Sequence, residues 1–219
     1  MGGPHDFFET PKWAVDRFLE AWRPPENGGS LIVEPGAGRG MIIRAASPYL
    51  PGYGWLAVEI RGEEQQLLEE TGAEVVVGDF CDEWLLAPRE DVAAVIGNPS
   101  YAIAFEVLLR ARELYPRAPV AFLLRLGFMA SDERADWMRR NRPDLYVLPD
   151  RVVFYAGNGD SSDYAWMVWP PLELGERTWG RHMGLASTPE AERSRKWLQK
   201  KRRLVPAQAD LFLDAPANT

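Results

Sequence analysis

Short, continuously apolar runs recur along the first part of the chain: Leu31-Ile32-Val33, Trp55-Leu56-Ala57-Val58, Glu74-Val75-Val76-Val77, Val92-Ala93-Ala94-Val95-Ile96 and Val120-Ala121-Phe122-Leu123-Leu124. Hydrophobicity that continues rather than alternates marks strands covered on both faces, as in a parallel sheet between helical layers. Helical patterning fills the intervals at about residues 40–49, 62–71, 102–114 and 132–140. The alternation predicts an α/β fold with a doubly wound sheet. After Pro149 the pattern changes. Arg151-Val152-Val153-Phe154-Tyr155 and Tyr164-Ala165-Trp166-Met167-Val168-Trp169 flank a loop rich in Gly, Asn and Ser, which predicts an antiparallel hairpin ended by Pro170-Pro171.

These runs place distinctive residues at strand ends. The first leads into Val33-Glu34-Pro35-Gly36-Ala37-Gly38-Arg39-Gly40. Glycines at a strand-to-helix turn allow positive φ and close approach of a ligand, and the helix start offers unpaired N–H groups. A nucleotide-like ligand is implied. The spacing is not the G-x-G-x-x-G of dinucleotide enzymes, and no Gly-Lys-Ser/Thr is present, so neither NAD nor ATP phosphate is favoured. The second run ends in Glu59, a carboxylate suited to two ribose hydroxyls, and the third in Gly78-Asp79-Phe80, an acceptor for an exocyclic amine beside a ring. The fourth runs through Gly97 into Asn98-Pro99-Ser100-Tyr101. That tetrapeptide sets an amide oxygen, a carbonyl and a ring face around one small planar group, a site for an amine and not a phosphate. Each element alone also fits an ordinary turn; their succession along one sheet edge points to a site.

In this combination and order the chain resembles the class I S-adenosylmethionine-dependent methyltransferases of the amino-methylating type, most closely the DNA adenine-N6 enzymes, over about residues 7–169. The resemblance implies a Rossmann-like, mostly parallel seven-stranded sheet with S-adenosylmethionine as cofactor. It assigns Phe8, Thr10 and Pro11, in a Phe-x-Thr-Pro-like element, to the methionine end of the cofactor. Glu34, Pro35, Gly36 and Gly38 fall in the cofactor loop, Glu59 and Ile60 at the ribose, and Asp79 and Phe80 at the adenine. Asn98, Pro99, Ser100 and Tyr101 match the catalytic Asn-Pro-Pro-Tyr/Phe, with Asn98 also near the cofactor, while Arg151 and Phe154 match a late segment near the target base.

The implied reaction is methyl transfer to an exocyclic or amide nitrogen. Such a nitrogen is a poor nucleophile because its lone pair is delocalised, so the site must localise that pair and hold it in line. The Asn98 oxygen and the Pro99 carbonyl would each accept one amine hydrogen, and Tyr101 would stack on the ring; a target in a duplex would be flipped out. Ser100 replaces the family's second proline and loosens the turn. The expected substrate is adenine N6 in single- or double-stranded DNA with relaxed or short sequence preference. RNA adenine and protein glutamine are the alternatives, as is a cofactor-binding module without activity.

Composition narrows the classes further. The 219 residues are 46% hydrophobic and 26% charged, as in a folded domain. A methyltransferase domain is expected over residues 1–170 and a basic extension over 171–219, where residues 193–203 hold seven cations around Trp197. That tail suits phosphate contact with base stacking, or equally an exposed helix. Arg134, Arg139 and Arg140 face either nucleic acid or solvent. The lone cysteine, Cys81, is expected to be a small buried filler, and with His5 and His182 far apart no metal site is expected. Neither a signal peptide nor a membrane span is visible, so a cytoplasmic location without membrane partners is expected. A net charge of −7 argues against a general nucleic-acid coat and leaves local charge to decide.

Overall fold

The computed structural model describes residues 9–26, 29–152, 154 and 162–185. Phe8, most of the Ala156–Asp163 loop and the basic segment after residue 185 lie outside them. Eight strands form one sheet: β1 (Leu31–Pro35), β2 (Gly54–Glu59), β3 (Glu74–Val77), β4 (Val92–Gly97), β5 (Val120–Arg125), β6 (Asp144–Val147), β7 (Tyr164–Trp169) and β8 (His182–Gly184). Their order is β3-β2-β1-β4-β5-β7-β6-β8, with β1 to β5 mutually parallel and β7 antiparallel to both β5 and β6. The chain winds outward from β1 to β3, then crosses back to β4. The carboxyl ends of β1 and β4 therefore frame the crevice where ligands of doubly wound sheets sit.

Each parallel strand carries its apolar residues to both faces, and helices cover both. On one side α1 (Lys12–Ala21), α2 (Met41–Ala46) and α3 (Gln65–Glu69) pack over Ile32, Ala57, Ala94, Ile96 and Leu123. On the other, α4 (Ala104–Leu114) and α5 (Asp132–Arg140) cover Val33, Val58, Val95, Phe122 and Leu124. Helix α4 shows why: Ala104, Val107, Leu108, Ala111 and Leu114 recur at helical spacing and all are buried.

Helix α1 was not among the expected elements. The Phe18 ring stacks on Trp166 of β7 at 4.5 Å, and the Trp166 indole N–H donates to the Ala14 carbonyl at 2.9 Å. Removing a buried aromatic of this kind costs about 3–5 kcal/mol. The anchor matters for the site because it fixes the segment just before α1, Glu9-Thr10-Pro11, over the sheet's carboxyl edge.

The sheet departs from expectation in two ways. Among the described residues it has eight strands, because the three-residue β8 pairs with β6. The hairpin partner of β7 is Asp144–Val147; of the expected segment, the described residues Arg151, Val152 and Phe154 lie in no strand, and Val153 and Tyr155 are outside the described residues. Val152 is fully buried in the core, so its apolar character goes into packing and not into a ladder. The Asp144 carboxylate, unusual inside a sheet, accepts from the Arg181 backbone N–H at 2.6 Å and from Arg177 at 2.7 Å. Burial works to raise the Asp144 pKa, but these bonds from Arg181 and Arg177 win and hold it below the usual carboxylate value.

Candidate active site

The glycine loop after β1 turns through Gly36, Gly38 and Gly40, each at positive φ (65°, 57° and 73°). A side chain at any of the three would be strained, so the loop needs glycine for its shape. Gly97, at the end of β4, is needed for space: a Cβ there would sit 3.3 Å from Pro35. These two strand ends approach so closely that Glu34, Pro35 and Asn98 line one cavity of about 190 Å³.

Most expected cofactor residues meet in that cavity: Thr10, Glu34, Pro35, Gly36, Gly38, Glu59, Ile60, Asp79, Phe80 and Asn98, together with Pro99 and Ser100. Pro11 is not in the lining; it caps α1. Phe8 lies outside the described residues. Glu9, Arg39 and Arg61 also line the cavity, and no single-residue signal in the sequence marked them.

Two carboxylates dominate the electrostatics. Glu59 accepts from the Gly38 N–H at 2.7 Å through one oxygen and from the Arg61 N–H and Nε at 3.0 and 2.9 Å through the other. It thereby ties the glycine loop to the end of β2. Three of its roughly four acceptor positions are engaged, so taking two ribose hydroxyls requires Arg61 Nε to release. Arg61 has a second partner ready, since its terminal nitrogen lies 3.5 Å from Glu64, which also receives Arg39 Nε. Glu34 is different. It is only 2% exposed, and its Oε2 is buried with no hydrogen-bond partner. Burial, reinforced by the Glu59 charge, pushes its pKa well above the ordinary value.

Asp79 is exposed and its Oδ1 accepts the Cys81 N–H at 2.9 Å, closing the turn after β3. Phe80 is buried beside Val58 and Val107. Burial, with Glu106 and Asp79 nearby, pushes the Cys81 thiol up to about 12, so it carries almost no thiolate near neutral pH.

Asn98 joins this cavity to a second, smaller pocket lined by Asn98, Pro99, Tyr101, Leu123, Leu124, Arg125, Phe154 and Tyr164. The Asn98 side-chain amide donates to Thr10 Oγ at 3.1 Å, which turns its oxygen away from Thr10. The Ser100 carbonyl accepts the Ile103 N–H at 3.1 Å, so the turn into α4 closes with serine in place of proline. Tyr101 is 43% exposed, with the Arg125 guanidinium 5.4 Å from its ring centre and Phe128 edge-on at 6.2 Å. Phe154 meets Tyr164 at 5.2 Å. Arg151 is exposed and lines neither cavity.

No family model matches the chain, and no curated protein matches it. Solved structures do. A type I restriction-modification methyltransferase subunit from Streptococcus thermophilus superposes with a TM-score of 0.61 at 14% identity over 91% of this chain. This chain spans 55% of that subunit. A Listeria monocytogenes protein described provisionally as a class I S-adenosylmethionine-dependent methyltransferase gives 0.58 at 12% identity, covering 91% of this chain and 72% of that one. The 23S rRNA methyltransferase ErmE gives 0.55 at 17%, covering 92% and 81%.

The chain has the fold of the class I S-adenosylmethionine-dependent methyltransferases. Within that fold, the 190 Å³ cavity occupies the β1/β4 crevice and the second pocket adjoins it through Asn98. Among the described residues, no helix is long and apolar enough to cross a membrane.

Proposed function

We propose that this protein transfers the methyl group of S-adenosylmethionine to the exocyclic N6 amine of adenine in DNA, with relaxed or short sequence preference. The observation that carries the proposal is the position of Asn98 and Pro99, shared by the glycine-loop cavity and a smaller aromatic pocket. A cofactor and an acceptor would meet there, at the two residues that both cavities share.

The larger cavity fits the cofactor's chemistry. S-adenosylmethionine is cationic at its sulfonium and its amine, and Glu34 Oε2 is a buried acceptor without a partner. The positive-φ glycines leave the backbone open to close approach, Glu59 suits the ribose, and Asp79 suits the adenine amine. When bound, the cofactor supplies an activated methyl group. The protein's own part is to prepare the accepting nitrogen. Thr10 fixes the Asn98 amide, whose oxygen and the Pro99 carbonyl accept the two amine hydrogens. That localises the lone pair and aligns it, a contribution of preorganised acceptors that needs no rearrangement during reaction. No general base is required before transfer, because the proton leaves from an amine made cationic by methylation.

Tyr101 offers a ring to the target base. One of its faces already holds Arg125, so stacking uses the other or displaces the guanidinium. RNA is the second substrate considered, on the strength of the ErmE superposition across 92% of this chain. The test is incubation with methyl-labelled cofactor and separate pools of single-stranded DNA, duplex DNA, RNA and protein extract. Label in N6-methyladenine of DNA supports the proposal, label in RNA alone selects the second substrate, and label in glutamine overturns both.

A further inference from the structure

The second pocket holds a charge that the methyl-transfer chemistry does not use. Arg125 ends β5 directly opposite Tyr164 in the β5–β7 ladder. Its Nε donates to the Tyr164 hydroxyl at 3.0 Å, and its guanidinium carbon lies 5.4 Å from the Tyr101 ring centre. Bracing the sheet does not account for it, since six backbone pairs already fix the β5–β7 register. Nor does cofactor binding, because Arg125 is absent from the larger cavity.

The chemistry of the target suggests its use. An exocyclic amine on a base is one half of an N=C–NH2 unit: two hydrogens to donate and, next to them, a ring nitrogen with a lone pair. Asn98 and Pro99 supply acceptors for the hydrogens. A pocket of acceptors and rings alone would admit any primary amine, the lysine side chain included. Guanidinium has five N–H donors and no acceptor, and it repels a cationic amine. We propose that Arg125 is a specificity-determining residue, donating from between Tyr101 and Tyr164 to the ring nitrogen that adjoins the reacting amine. This rests on the pocket being the acceptor-base pocket proposed above. In adenine that unit makes the ring nitrogen N1; N7, which lies beside the amine on its other edge, is the alternative, and the two are separable by experiment.

The test uses the full chain and oligonucleotides carrying one target adenine, replaced in turn by 1-deazaadenine and 7-deazaadenine, both of which keep the N6 amine. A charge-assisted hydrogen bond to the ring nitrogen predicts that one of these replacements lowers kcat/KM of the unaltered protein about ten- to hundred-fold. In Arg125→Met that same replacement costs less than about three-fold, because the donor is already gone. Arg125→Lys restores part of the discrimination, and oligonucleotide Kd follows the same pattern. Cofactor affinity and Tm stay close to the starting values in both variants. The proposal is overturned if neither deaza base affects the unaltered protein, or if the penalty is the same in Arg125→Met, as a merely bracing role requires. Failure of the adenine reading is distinguishable: the unaltered protein then methylates no oligonucleotide at all, and the assignment of Arg125 falls with it.

Discussion

Replacing Glu34 by glutamine should stabilise the protein without cofactor and weaken its grip on the cofactor, two effects of opposite sign from one atom. Glu34 is 2% exposed, its Oε2 is unpaired, and burial beside Glu59 raises its pKa well above 4.5. The folded state therefore holds the Glu34 proton where the unfolded chain has lost it. Stability from this group is fully present below pH 4.5 and declines as pH rises toward the folded pKa, by up to about 1.4 kcal/mol per pH unit. For a domain of this size that is roughly 3–6 °C in Tm per pH unit. Glutamine keeps the shape and has no charge to bury, so the Tm gap between Glu34→Gln and the unaltered protein should widen as pH rises above 4.5 and level off at the raised folded pKa. Cofactor reverses the order. A cationic ligand favours the carboxylate, so binding to the unaltered protein should release a proton and tighten with rising pH. Glu34→Gln should bind about ten- to hundred-fold more weakly, the worth of a charge-assisted contact, with no proton release. Scanning calorimetry across pH, and titration calorimetry in two buffers of different ionisation enthalpy, read both effects. Equal Tm values at every pH together with unchanged cofactor affinity would refute the reasoning.

Thr10→Val removes the hydroxyl that holds the Asn98 amide at 3.1 Å, and a roughly three- to ten-fold drop in kcat is expected from the loss of one hydrogen bond, read in a single-turnover assay. Asp144→Asn weakens the clamp that Arg177 and Arg181 make between β6 and the β8 edge, and should lower Tm near neutral pH by about 5–10 °C. Because those partners hold the Asp144 pKa down, its contribution exists above the unfolded value of 3.8 and is lost as pH falls through the lower folded value. The Tm difference between Asp144→Asn and the unaltered protein should therefore vanish in strong acid.

The parallel half of the sheet was legible because β1, β2, β4 and β5 are buried almost throughout and so read as unbroken apolar runs, while the edge strand β3, only partly buried, still keeps three successive valines. The strand ends followed directly: Glu34, Glu59, Asp79 and Asn98 sit at the carboxyl edge because the runs before them end there. The antiparallel half was less legible. Asp144-Leu145-Tyr146-Val147 is four residues long and begins with a carboxylate, and what makes it a strand is a pair of arginines more than thirty residues away. The β-branched Val152 resembles a strand residue and is instead core. Helix α1 did carry a signal, the spacing of Ala14, Val15, Phe18 and Leu19, but Pro11 at its cap makes no side-chain bond to announce it. Arg125 was invisible for another reason: an arginine closing a strand acquires meaning only when Tyr101 and Tyr164 are seen on either side of it.

The central claim is that Asn98 acts on the accepting amine and not chiefly on the cofactor. Asn98→Ala, assayed for cofactor Kd and for single-turnover methylation of adenine in DNA, tests it most directly. Transfer should fall by about 10²–10³, the usual loss when one preorganised hydrogen-bonding group is removed, while Kd changes no more than a few-fold. Undiminished transfer in Asn98→Ala, or a loss explained entirely by weaker cofactor binding, would contradict it.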